Sequence, residues 1–206
     1  MSGVILRRFS APPVDRREIL RYAGARGDAP ELMPLLEECL SLMEGDLTYR
    51  VAFCEIDSSE LPLWESRDLS DRLLGCERAV ILAATVGLAP DRGLLRYGSR
   101  EPLRGLLCQA IGAERIEALC EEASLALSEE YGKQGRRLRP RFSPGYGDCP
   151  LAWQRMIVER LETPKTLGLT LNGSLTLSPT KSVTAIIGIE EMSASDDSSR
   201  LLEGDE

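Results

Sequence analysis

Histidine is absent from this chain of 206 residues. Catalytic sites that pair a serine or cysteine nucleophile with a histidine base are therefore excluded. The six cysteines form no Cys-x-x-Cys pair, whereas a zinc site needs clustered thiolates or imidazoles. We therefore expect no metal site and no side chains arranged for independent catalysis.

Long apolar runs are also missing. No segment approaches the ~20 apolar residues that a helix needs to cross a bilayer. Near the N-terminus, the apolar residues Val4, Ile5 and Leu6 are too few for the core of a signal peptide, and arginines follow them at once. We therefore expect a cytoplasmic protein that has no membrane partner.

Basic charge is scarce, since the net charge is −8. Residues 190–206 hold seven acidic side chains and one arginine, so they carry six of the eight excess negative charges. The remainder is weakly acidic and lacks the concentrated basic surface that nucleic-acid binding requires. We expect no nucleic-acid partner and a disordered, solubilising tail over residues 190–206.

The hydrophobic pattern predicts an α+β fold, in which helices flank a mostly antiparallel sheet. Apolar spacings of three and four residues predict five helices, at 17–24, 30–45, 66–76, 101–131 and 151–162. Alternating or β-branched apolar runs predict strands at 47–56 and 79–87, and three short β segments between 167 and 189.

Three single residues sharpen these predictions. Asp15 has the side chain and position to cap the first helix. Gly112 interrupts the long helix at a cost of about 1 kcal/mol relative to alanine, so we expect close packing or a bend there. Asn172 and Gly173 form a dipeptide typical of a tight hairpin turn.

Residues 139–150, RPRFSPGYGDCP, combine several features of a binding loop. Arg141 presents a planar fork of donors that matches a carboxylate or phosphate. Gly145 allows close approach of the backbone to a ligand, and Tyr146 adds an aromatic face with a hydroxyl group. The alternative is an ordinary turn in which Arg141 pairs with a surface acid. Cys149 is expected to pack in the interior, because no base lies near it in sequence.

The spacing of this loop matches a known signature. Arg-x-x-Pro-Gly-Tyr followed by Cys-Pro is present as Arg141, Pro144, Gly145, Tyr146, Cys149 and Pro150. A second block follows in the same order, formed by Gly168, Leu169, Leu171, Ser174, Pro179, Ser182, Val183 and Thr184. From about Leu103 onward, the chain resembles the activation (reactivation) domain of cobalamin-dependent methionine synthase, in particular its short, free-standing relatives.

The resemblance implies an S-adenosylmethionine site. Arg141 would hold the methionine carboxylate, and the backbone of Ser143 and Gly145 would line the site together with Tyr146. The ligand-contacting glutamate of the family aligns with Glu117, at the border of the apolar stripe of the long helix. For Glu117, an ordinary surface acid is the alternative interpretation.

The resemblance also implies a role. Such a domain supports reductive methylation, and hence reactivation, of cobalamin that a separate, truncated methionine synthase supplies. A flavodoxin or ferredoxin-like protein would donate the electron. On this basis residues 91–189 form the activation-domain-like core, and residues 1–90 form a helical and strand part of the same domain or a small lobe.

Two departures from the family pattern favour an alternative function. Ile187 stands where the family has a tyrosine, and the family's ligand-contacting aspartate has no evident counterpart in the N-terminal half. The alternative is a module that docks on a corrinoid protein and has lost adenosylmethionine binding. A stand-alone methyltransferase is a third hypothesis, but the sequence shows no general base placed for it.

Overall fold

The computed structural model describes residues 3–192. Within this range, five strands form one antiparallel sheet in the order β1-β2-β3-β7-β4, and two more form a small hairpin. The strands are β1 Ile5–Arg8, β2 Arg50–Asp57, β3 Arg78–Thr85, β4 Arg136–Leu138, β5 Thr170–Leu171, β6 Leu177–Ser178 and β7 Ser182–Glu191. The predicted α+β class with a mostly antiparallel sheet is confirmed.

Seven α-helices accompany the sheet in the same part of the chain. They are α1 Arg16–Tyr22, α2 Met33–Glu44, α3 Arg67–Arg72, α4 Ala89–Tyr97, α5 Pro102–Gly132, α6 Gln154–Arg160 and α7 Thr163–Thr166. Asp15 caps α1 as predicted, because its carboxylate accepts hydrogen bonds from the amides of Arg17 and Glu18 at 2.9 and 3.1 Å. No helix among residues 3–192 is both long and apolar enough to cross a membrane.

The two faces of the sheet are covered by different elements. One face packs against α5, and Val80 and Leu82 of β3 meet Ile116 and Leu119 there. The other face packs against α3, α6 and the small hairpin. A third apolar cluster joins α1 and α2 to the N-terminal half of α5. Helix α5 is therefore shared by two of the three cores.

Close packing at Gly112 explains the glycine within α5. A Cβ atom at this position would lie 2.6 Å from Cβ of Pro90 and 2.7 Å from Cγ of Lys181. The side chains of Pro90 in α4 and of Lys181, just before β7, therefore fill the space that any larger residue would occupy. The expectation of close packing at Gly112 is confirmed.

A buried ion pair fastens the N-terminal segment to α5. The side chain of Arg115 is only 1% exposed, and its guanidinium contacts the neighbouring carboxylate of Glu114, with one bond at 2.5 Å. The same guanidinium donates to the carbonyl oxygens of Pro12 and Pro13 at 2.6 Å each. Glu114 in turn accepts from the amide of Asp15 at 2.9 Å. Removing one partner of such a pair costs about 3–5 kcal/mol, because the other charge stays buried.

Other sequence predictions differ from the structure. The turn at Asn172 is wider than a two-residue hairpin: its side-chain oxygen accepts from the amides of Ser174 and Thr176, and Leu175 has φ of 62°. Glu190 and Glu191, assigned to the tail, are the last residues of β7. The carboxylate of Glu190 pairs with Arg137 on the neighbouring strand β4. The rest of the predicted tail, residues 193–206, lies outside the described range.

We predict that Gly112→Ala lowers the free energy of unfolding by about 1–3 kcal/mol, the usual cost of overpacking. The clash outweighs the gain of about 1 kcal/mol in helix propensity. Gly132→Ala is the matched control, because no atom lies within 4 Å of a Cβ at that end of α5. Urea unfolding of both variants measures the difference. Equal stability of the two variants would contradict this account of Gly112.

Candidate functional site

Arg141 and Glu117 form the centre of the candidate site. Nη2 of Arg141 donates to Oε2 of Glu117 at 2.5 Å. Both side chains are partly exposed, at 28% and 40%. The sequence placed these residues in one ligand site through a resemblance, and the structure brings them into direct contact. Arg141 therefore does pair with an acid, and that acid is the other predicted ligand residue.

The position of Arg141 is set by strand pairing. The next residue, Phe142, exchanges two backbone hydrogen bonds with Ile186 of β7, at 2.9 and 2.8 Å. Phe142 packs into the core on the face of the sheet opposite α5. Because successive side chains of an extended chain point to opposite faces, Arg141 lies on the α5 side, where Glu117 is.

The surroundings keep Arg141 charged. Burial lowers its pKa, whereas the carboxylates of Glu117 and Glu121 raise it, and a guanidinium stays protonated in proteins. Burial raises the pKa of Cys120 to about 12, so the thiol stays protonated. The pair thus presents a permanent cation and a carboxylate beside a neutral thiol.

The turn that follows Arg141 is closed by its own backbone. The amide of Tyr146 donates to the carbonyl of Ser143 at 3.3 Å, and the amide of Gly145 donates to the carbonyl of Cys149 at 3.0 Å. Gly145 has φ of 92°, a conformation that favours glycine. The amide of Gly145 therefore already donates its hydrogen bond inside the loop. Cys149 is buried, and burial raises the pKa of its thiol, which confirms its predicted packing role.

Tyr146 and Ser143 lie on this turn and take no part in the ion pair of Arg141 and Glu117. The side chain of Tyr146 is 69% exposed, and Ser143 is partly buried. Among residues 3–192, no hydrogen bond or ion pair joins the side chain of Tyr146 to Arg141 or Glu117. The ring is therefore available at the surface of the loop.

Asp148 clamps the loop onto the start of α3. Its carboxylate accepts from the hydroxyl of Ser66 at 2.6 Å and from the amides of Arg67 and Asp68 at 2.9 and 3.2 Å. Asp68 accepts from the amide of Asp148 in return, at 3.2 Å. The loop thus supplies a carboxylate cap to a helix more than seventy residues earlier, and the cap fixes the loop.

Tyr22 is a residue of this region that motif comparison missed. It lies at the end of α1, and the guanidinium of Arg21 is 4.5 Å from the centre of its ring. Burial raises the pKa of its hydroxyl, and the negative charge of Glu117 raises it further. The only feature of the sequence that could have indicated Tyr22 is an aromatic residue on the polar side of a short helix.

Ile187, where the family has a tyrosine, is 2% exposed and belongs to the core.

Among residues 3–192, no group of three or more cysteine, aspartate or glutamate side chains is arranged to hold a metal ion. The candidate site offers the charges of Arg141 and Glu117 and the exposed ring of Tyr146.

We predict that Asp148→Ala lowers the free energy of unfolding at neutral pH. The hydrogen bond from Ser66 lowers the pKa of Asp148 below its ordinary value of 3.8. A lowered folded pKa stabilises the protein above the unfolded value, and this contribution is lost as the pH falls through the folded pKa. The difference from the wild type should therefore shrink below about pH 4.

Urea unfolding at several pH values measures this effect. Asp71→Ala is the control, because Asp71 lies on the same helix with its side chain 74% exposed. A difference between the wild type and Asp148→Ala that stays constant from neutral to acid pH would rule out the clamp.

Comparison with known proteins places this geometry in context. No family model matches the chain, and no curated protein matches it in sequence. Among solved structures, the chain is similar to the crystal structure of the MetH reactivation domain bound to AdoHcy, with a TM-score of 0.62 and 17% identity. The match covers 93% of this chain and 79% of the other. The chain therefore has the fold of the MetH reactivation domain.

Proposed function

We propose that this protein binds S-adenosylmethionine and supports the reductive methylation of cobalamin on a separate, truncated methionine synthase. The observation that carries the proposal is the contact of Arg141 with Glu117, beside an Arg-x-x-Pro-Gly-Tyr loop, in a chain with the fold of a reactivation domain. The structurally similar domain was crystallised with AdoHcy. Cobalamin would come from the partner, and a flavodoxin or ferredoxin-like protein would supply the electron.

The charged groups of the site fit this ligand. A guanidinium binds a carboxylate through two parallel hydrogen bonds, and S-adenosylmethionine carries one carboxylate. A glutamate attracts positive charge, and the ligand carries an ammonium and a sulfonium. Tyr146 offers an exposed ring for stacking against the adenine base. The bound molecule supplies a methyl group, whereas the protein supplies position and charge.

Glu117 has two opposing roles in this proposal. In the absence of ligand it neutralises Arg141 across a distance of 2.5 Å. When a carboxylate binds Arg141, Glu117 loses part of that contact and gains the positive groups of the same ligand. A ligand with both charges therefore exchanges one ion pair for two. An acid without a cationic group would have to compete with Glu117.

The alternative function is a module that docks on a corrinoid protein without binding adenosylmethionine. One observation favours it: Ile187, which stands where the family has a tyrosine, is buried in the core. Co-purification with a cobalamin protein, combined with no calorimetric signal from S-adenosylmethionine or S-adenosylhomocysteine, would support this function over the first.

We predict that Arg141→Met weakens S-adenosylhomocysteine binding at least about tenfold, the value of one hydrogen-bonded charged pair. Isothermal titration calorimetry measures the affinity. Arg155→Gln, an exposed position on α6, removes the same charge and should bind as the wild type does. Unchanged affinity in Arg141→Met, or no saturable binding by the wild type, would overturn the ligand assignment.

We further predict that Glu117→Gln weakens S-adenosylmethionine binding more than S-adenosylhomocysteine binding. Both ligands carry the ammonium, but only S-adenosylmethionine carries the sulfonium charge that Glu117 would attract. The ratio of the two affinities is the measurement, because general damage to the site changes both alike. A ratio equal to that of the wild type would place Glu117 away from the sulfonium.

A further inference from the structure

Two arginines face each other on neighbouring strands at the edge of the sheet. Arg8 of β1 is directly opposite Arg50 of β2, and the same row continues to Thr85 and Ser182. Side chains in directly opposed positions lie about 4.5–5.5 Å apart at Cβ, and like charges so placed repel. The arrangement is therefore unfavourable unless something between the two guanidinium groups compensates it.

The two arginines lack the compensation that most other arginines of this chain have. Fifteen ion pairs join residues of the described range, and neither Arg8 nor Arg50 takes part in one. Arg7, the neighbour of Arg8, pairs with Glu130 on the other face of the sheet. In a chain with a net charge of −8, two opposed and unpaired arginines are an unusual local concentration of positive charge.

Two buried polar atoms of residues 48 and 50 also lack partners. Nε of Arg50 is buried and has no hydrogen-bond partner between residues 3 and 192. The same holds for Oγ1 of Thr48, two residues earlier. The glycine beside Thr48 leaves room for this hydroxyl, since a Cβ at Gly87 would lie 2.7 Å from it. Buried polar atoms without partners are rare in native proteins and point to a missing water or ion.

We infer that Arg8, Arg50 and Thr48 form a binding site for a phosphate-class oxyanion. Guanidinium groups bind phosphate through paired charge-assisted hydrogen bonds, and one tetrahedral anion accepts bonds from both arginines and a hydroxyl together. A flat carboxylate has only two oxygens to share among these three groups. The anion removes the repulsion between the arginines and gives acceptors to donors that have none.

The site is independent of the adenosylmethionine proposal. Arg50 shares a face of the sheet with Ala52 and Cys54, which pack on the side away from α5, whereas Arg141 and Glu117 lie on the α5 side. The free ion and the phosphate ester of a small molecule carry the same chemistry, so both are probes. Arg141→Met should leave the binding of either one unchanged.

Calorimetric titration of the full chain with inorganic phosphate and with ribose 5-phosphate tests the inference. We expect saturable binding of at least one probe by the wild type. Arg50→Met and Arg8→Gln should each weaken that binding at least about tenfold, and Arg100→Gln, an exposed arginine after α4, should not. A preference for ribose 5-phosphate would identify a phosphate ester as the ligand, and a preference for phosphate the free ion.

Thermal unfolding in phosphate-free buffer provides a second readout. Arg50→Met should be at least as stable as the wild type there, because it removes an uncompensated charge and an unpaired donor. Added phosphate should raise the melting temperature of the wild type but not that of Arg50→Met. If Arg50→Met fails to fold, Arg8→Gln at the exposed edge carries the same test. Absence of saturable binding, equal competition by acetate, or unchanged affinity in both variants would overturn the inference.

Discussion

The pairing of β3 with β7 is the interaction on which the rest of the structure depends. All eight residues of β3 pair with β7, so a strand from the first half of the chain meets the last described strand. From Ala79 onward β3 is buried, which is typical of a central strand covered on both faces. Strand β7, once held there, carries the bridge to Phe142 and presents Arg141 to α5. Long-range strand pairing therefore positions the candidate site, and the loop after Arg141 adds side chains such as Tyr146 to it.

Elements with a strong local pattern were predictable. Helix α5 and strand β3 have apolar residues at a clear helical period or in an unbroken run, and both formed close to the predicted bounds. Four elements were missed because their own patterns are weak: β1, α4, β4 and α7. The last of these spans only four residues and begins just after the predicted end of a helix. β1 contains only four residues and two of them are arginines, α4 contains a proline and a glycine, and β4 is three residues long. β1 and β4 are held by strands far away in sequence, β2 and β7, and α4 packs against α5.

The same division applies to the candidate site. The loop around Arg141 could be found from residue types and spacing, and Glu117 from its alignment with a known pattern. Their mutual contact required the fold, because 24 residues and a helix end separate them. Tyr22 and the clamp of Asp148 on Ser66 could not be foreseen, since both depend on surfaces that meet only after the sheet forms. The acidic residues at the end of β7 were misread as tail because charge alone does not reveal the opposing arginines.

The buried pair of Glu114 and Arg115 lies on the same turn of α5 as the site residue Glu117. Glu117 follows Arg115 by two residues, or about 3 Å along a helix axis, so the anchor of the N-terminal segment and the site carboxylate occupy one rigid turn. A ligand that shifts this turn of α5 would also change the hydrogen bond from the amide of Asp15 to Glu114. Deuterium exchange at the amide of Asp15 would therefore report ligand binding at Arg141 and Glu117, although Asp15 itself lies outside the candidate site.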